Sequence, residues 1–175
     1  MSKHFVFDVE SIGLHGEAFA VAFMAFEDTG LGSYTILEEK CYACSSTTAR
    51  GDYDDHIWVQ KHVPTLPINA GDPRQVRALF WAKLCKWGKD EGAAIWADHS
   101  WPVDVGIIHA CIQDNPVERK FIGPNPVHDI CTLSKYVLET RLSVRADETP
   151  QHDPRNDVKY SARVLQACLN KLNSK

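Results

Sequence analysis

Several things are scarce in this chain, and each scarcity removes a class of function. There is no surplus of positive charge: 19 Lys and Arg stand against 23 Asp and Glu, a formal charge of −4. That excludes a broad basic surface for long duplex nucleic acid. There is no long hydrophobic run. The longest, Ala18 to Phe26, is far too short to span a bilayer, so no membrane partner is expected. Nothing at the start reads as a signal peptide, because Met1-Ser2-Lys3-His4 leads straight into a strand-like run; a cytoplasmic protein is the expectation. Cysteine is present but sparse in pattern. Cys41 and Cys44 form a C-x-x-C with no second pair at ligand spacing, and an i, i+3 pair on a strand faces opposite sides, so a structural, reduced role is expected. No repeat, low-complexity tract or linker interrupts the 175 residues, which predicts one domain over 1–175, long enough to bury most of its apolar surface.

What is there reads as alternating strands and helices. Lys3 to Val9 is apolar and partly β-branched, a buried strand; Gly16 to Phe26 and Tyr34 to Cys44 follow as strands around a Thr29–Gly32 turn, making an antiparallel meander. Ser45 to Pro73 is a polar connection with a short helix near Asp55 to His62. Arg74 onward carries Val76, Leu79, Phe80, Leu84 and Trp87 at helical spacing, ending at Gly88 or Gly92. Ala93 to Ala97 predicts a central strand, Val103 to Ile112 a helix, Pro124 to Ile130 a brief strand and Thr132 to Glu139 a helix. Leu142 to Gln151 reads as a loop, and Pro154 to about Leu172 as a last helix with Val158, Ala162, Leu165 and Leu169 on one face. The fold class expected is α/β with a mixed sheet.

Three acidic segments stand out. Asp8 and Glu10 end the first strand two residues apart, so both project from one face, a repulsive arrangement that a cation between them relieves. Asp104 falls in the first turn of a helix, with Pro102 near the position that proline favours; Asp98 sits nearby in a supporting place. Asp153 suits the N-cap of the last helix and Pro154 its first turn, which leaves His152 just outside and Asp157 one turn in, both able to lean toward one spot. A histidine beside several acids is a general-base candidate. A short strand can enter such an acidic, metal-filled cleft despite the negative overall charge. Hard oxygen ligands suit Mg²⁺ or Mn²⁺.

Asp8-x-Glu10, then Asp104, then His152 with Asp157 five residues on, resemble the three motifs of the DnaQ-like DEDDh 3′-to-5′ exonucleases, in order, spacing and setting, over Phe5 to Leu172. The Trp96–Asp104 segment is most similar to small stand-alone exoribonuclease-type members. It departs from the usual His-Asn-x-x-Phe-Asp in having Ser100 for the Asn and Val103 for the Phe. The resemblance implies an RNase H-like sheet and two divalent ions. Asp8 would bridge both, Glu10 and Asp157 would hold the nucleophile-side ion, and Asp104 the other, while His152 takes a proton from the attacking water. A sister branch places a tyrosine four residues before the last acid; that position is Asp153 here, which leaves His152 as the base. Ser11, Ile12 and Gly13 would offer backbone N–H groups to a 3′-terminal nucleotide, and Leu14 and His15 would pack on its base. By the same resemblance Ser100 would take the place of the Asn that contacts the substrate near the scissile phosphate, and Trp101 is a stacking candidate for the next base. Trp58, Trp81, Trp87 and Trp96 are expected in the core.

The partner implied is single-stranded nucleic acid with a free 3′ end, with a lean to short RNA. Small members of the family dimerise, so a homodimer is a further expectation. Two competing readings are a catalytically silent nucleic-acid- or partner-binding module on the same fold and a DNA-directed editing exonuclease. The intact five-residue set argues against the first.

Overall fold

A strand that is apolar at nearly every position has to be covered on both faces, and the run beginning at Ala18 is such a strand. In the computed structural model, which describes residues 2–30, 32–123, 126–138 and 147–174, that run is β2 (Ala18–Asp28), buried almost throughout. It pairs antiparallel with β1 (Ser2–Ser11) on one side and with the edge strand β3 (Tyr34–Ala43) on the other. β4 (Ala94–Ala97) joins β1 in parallel and β5 (Val127–Asp129) joins β4 in parallel, giving the order β3-β2-β1-β4-β5. The chain is therefore α/β with a five-stranded mixed sheet flanked by helices, an arrangement consistent with an RNase H-like sheet.

Alternation along β1 sends its side chains to two separate layers. Phe5 and Phe7 pack with Phe23 of β2 against α2 (Pro73–Cys85) and α3 (Val105–Asp114); Phe5 stacks on Phe23 with ring centroids 4.8 Å apart, and Phe7 meets Phe80 of α2 at 5.2 Å. Val6, Met24 and Phe26 face the other way, against Val158, Ala162 and Leu165 of α6 (Pro154–Asn173). The predicted apolar face of that last helix is the one it buries, with Leu169 partly covered at its edge.

Element ends differ from the sequence reading in ways that have local causes. α1 (Tyr53–His62) precedes α2, which starts at Pro73 behind an Asp72 N-cap that accepts the Gln75 N–H at 2.8 Å. α2 does not run to Gly88 or Gly92 as one helix; a π-helical turn, Lys86–Asp90, takes over after Cys85 and buries Trp87. A one-turn helix absent from the expectation, α4 (Pro116–Arg119), follows Asn115, whose side chain accepts the Glu118 N–H. The helix expected from Thr132 is α5 (Ile130–Val137), begun two residues earlier because Asp129 caps it through the Thr132 N–H at 2.6 Å. Leu31 of the first turn, Pro124 at the expected strand start, Glu139, and 142–146 of the expected loop lie outside the described residues. No helix among the described residues is long and apolar enough to cross a membrane. Cys41 packs in the α6 layer and Cys44 in the opposite one, as an i, i+3 pair on a strand must, and both are free thiols.

Candidate active site

The site begins where β1 outruns its parallel neighbour. β4 pairs with His4 through Phe7 and stops at Ala97, whereas β1 continues to Ser11. Asp8 and Glu10 lie on that overhang, on the face of Val6 and α6. Beyond the end of β4 the β1 backbone needs another acceptor, and Asp104 supplies it: its Oδ1 accepts the Val9 N–H at 3.1 Å. Asp104 reaches this point because Ser100–Asp104 is an irregular turn, with Trp101 extended inside it, that delivers the carboxylate just ahead of α3. The side chain is buried, at 5% exposure.

The fourth acid comes from α6. Asp153 caps that helix, accepting the Arg155 N–H at 3.0 Å and binding the Arg155 guanidinium with both oxygens. Asp157 then lies one turn in, and its Oδ2 accepts the backbone N–H of His152 at 2.9 Å. That bond holds His152 in a left-handed conformation, φ 61°, unusual for a residue other than glycine. Glu10, His152 and Asp157 each offer a ligand atom within 4.8 Å of the others.

Electrostatics show how strongly these acids crowd. Burial, followed by the carboxylates of Asp157, Asp104 and Asp153, pushes Glu10 up to about 9. Burial also holds Asp8 well above the ordinary carboxylate range, reinforced by Asp104, Asp157, Glu10 and Asp98. Asp104 is raised by burial and by Asp98, against the opposing effect of its bond from Val9. The nearby cation Arg155 is engaged by Asp153. The donor set is one of hard oxygen ligands, of the kind that divalent Mg²⁺ or Mn²⁺ takes.

Beside the acids lies a cavity of about 960 Å³. Ser11, Leu14, His15 and Trp101 line it, along with the His109 and Gln113 face of α3. Leu14 is 65% and Trp101 76% exposed, so neither is core. Gly13 adopts φ +66°, and the Asp55 carboxylate of α1 lies where a Cβ at that position would stand. Two expected substrate contacts are otherwise engaged. Ile12 is fully buried and its N–H donates to the Glu17 carbonyl at 3.1 Å, because the chain must close the turn into β2. Ser100 turns toward α5, donating both its N–H and its hydroxyl to Asp129.

Trp81 and Trp87 are buried as expected and Trp96 is half-buried, but Trp58 is not core: it is 42% exposed and its ring meets that of His152. Its position one turn from the end of a polar helix was the available signal, since α1 buries Val59 alone. No protein-family model matches this chain, and no curated protein matches it.

Proposed function

We propose that the chain is a metal-dependent 3′-to-5′ exonuclease of the DnaQ-like DEDDh type, acting on single-stranded nucleic acid. The observation that carries this reading is the convergence of Asp8, Glu10, Asp104 and Asp157, the first three raised in affinity for protons by burial and by neighbouring carboxylates, with the His152 side chain beside Glu10 and Asp157. Asp8, Glu10, Asp104 and Asp157 would hold two divalent ions, Mg²⁺ or Mn²⁺. Bound there, the ions supply positive charge against the attacking and leaving oxygens of a phosphodiester.

The protein's own groups do the rest. His152 accepts a proton from the attacking water through a neutral ring nitrogen. Leu14 and Trp101 present exposed apolar surface on which unpaired bases pack without regard to sequence. The cavity along α3 takes the strand that follows the terminal nucleotide. Six free thiols suit a reducing, cytoplasmic compartment. The substrate leaning is toward short RNA.

The test uses matched RNA and DNA oligonucleotides, labelled at either end, with Mg²⁺ or Mn²⁺ and with chelator. The reading expects a ladder shortening from the 3′ end, lost with chelator and with Asp8→Ala. Cutting of a circular strand, or equal digestion with chelator, overturns it.

A further inference from the structure

The residues around His152 include one that the chemistry above leaves unexplained. Trp58 projects from α1 so that its ring centroid lies 4.9 Å from that of His152, the planes 81° apart. Edge-to-face geometry of this kind is attractive and directional. Trp58 is itself held: His62, one turn on, stacks on the indole at 4.5 Å, and the His62 Nδ1–H donates to the Trp58 carbonyl at 2.8 Å. The other end of His152 is fixed by a different element, through its N–H to Asp157.

We propose that Trp58 is a positioning residue for His152: α1 and α6 grip the histidine from its ring and its backbone, and the indole sets the ring's direction toward the water it deprotonates. This rests on the exonuclease reading. A side chain behind a left-handed backbone residue, at the start of a helix, has several directions open to it, and the bond from its N–H to Asp157 does not choose among them. The indole does. Its partial exposure reflects its place at the rim of the site, where a base-bearing ring must also remain in reach of solvent.

The test measures kcat and KM on a 5′-labelled oligonucleotide with Mn²⁺ for the parent, Trp58→Ala, Trp58→Leu, Trp58→Phe, His152→Ala and the Trp58→Ala/His152→Ala double variant. Misdirecting a reacting group by an ångström costs on the order of 100-fold, so Trp58→Ala should lose roughly 10–100-fold in kcat with KM within about threefold. Trp58→Leu, which keeps apolar bulk but no ring, should behave as the alanine variant and guards against a folding loss. Trp58→Phe should recover most of the rate. In the His152→Ala background, removing Trp58 should cost nothing more, since the cycle isolates their coupling. An unchanged kcat in both Trp58→Ala and Trp58→Leu overturns the proposal. So does a rise in KM with kcat intact, which makes Trp58 a base-stacking platform, or an undiminished loss in the double variant. A parent without metal-dependent digestion sinks the exonuclease reading together with this one, whereas an active parent with an indifferent Trp58 sinks this one alone.

Discussion

Raising the pH of the metal-free protein should weaken it, and the site sets how much. Glu10 ordinarily titrates near 4.5 and is pushed up to about 9 in the fold. Between those values the folded chain holds a proton that the unfolded chain has released. A group of this kind contributes stability that is complete below its unfolded pKa and is lost as pH rises through the folded one. The cleanest window is about pH 6.5 to 8.5. Below it, His4 acts in the opposite sense, because burial lowers its pKa from 6.5. Glu38 and Glu17, lowered by lysine and arginine partners once their burial is overcome, have finished titrating by then. One proton across two pH units is worth roughly 2.7 kcal/mol. For a chain of this size that is a fall in Tm on the order of 5–10 °C; Asp8 and Asp104 are raised in the same direction. Mg²⁺ at about a hundred times its Kd returns roughly 2.7 kcal/mol, and does so most effectively at the high-pH end, where protons no longer compete. Thermal melts across this window, with chelator and with millimolar Mg²⁺ or Mn²⁺, provide the measurement. A metal-free Tm that rises between about pH 6.5 and 8.5, or melts indifferent to metal throughout, would refute the electrostatic account of the site.

Asp8→Ala should abolish turnover while raising the metal-free Tm, because it removes an acid whose burial and acidic neighbours disfavour it in the fold; activity within tenfold of the parent, measured by single-turnover digestion, means another residue is the essential ligand. His152→Ala should lose roughly 10²–10⁴-fold in rate and still show a metal-dependent melt; a variant that keeps the parental rate places the base elsewhere. Gly13→Ala combines a left-handed backbone with a Cβ driven into the Asp55 carboxylate, so it should destabilise by about 1–3 kcal/mol and impair turnover. A denaturant midpoint equal to the parent's would mean that the turn accepts a side chain at Gly13.

The sheet was legible because its signals are local. Uniform burial of β2 shows as an unbroken apolar run, and the α6 cap shows as Asp153-Pro154. The five candidate residues stand out through type and order, and the fold brings their three segments together. What escaped depends on side-chain direction over distance. Nothing in Ile12 reveals that its N–H must close onto Glu17, nor in Ser100 that Asp129, twenty-nine residues on, will claim both its donors. Trp58 looked like core because large aromatics usually are, and only the docking of α1 against the His152 turn places it at the rim. The winding change at Lys86–Asp90 encloses Gly88, one of the two expected helix ends, but a glycine there does not distinguish a stop from a π-helical turn.

The two halves of the site stand on ground of unequal firmness. β1 is paired on both edges from His4 to Phe7 and covered on both faces, so its amides belong among those that open only when the whole molecule does. α1, which steadies the histidine ring, is held by a single buried side chain, Val59, and so belongs with the segments that open at little cost. Asp8 and Glu10 are thus carried by the last structure to come apart and the aromatic brace by one of the first. Hydrogen exchange should separate the two by several orders of magnitude in protection. In urea well below the global midpoint, turnover should vanish while metal is still bound, so the protein stops cutting before it stops being folded.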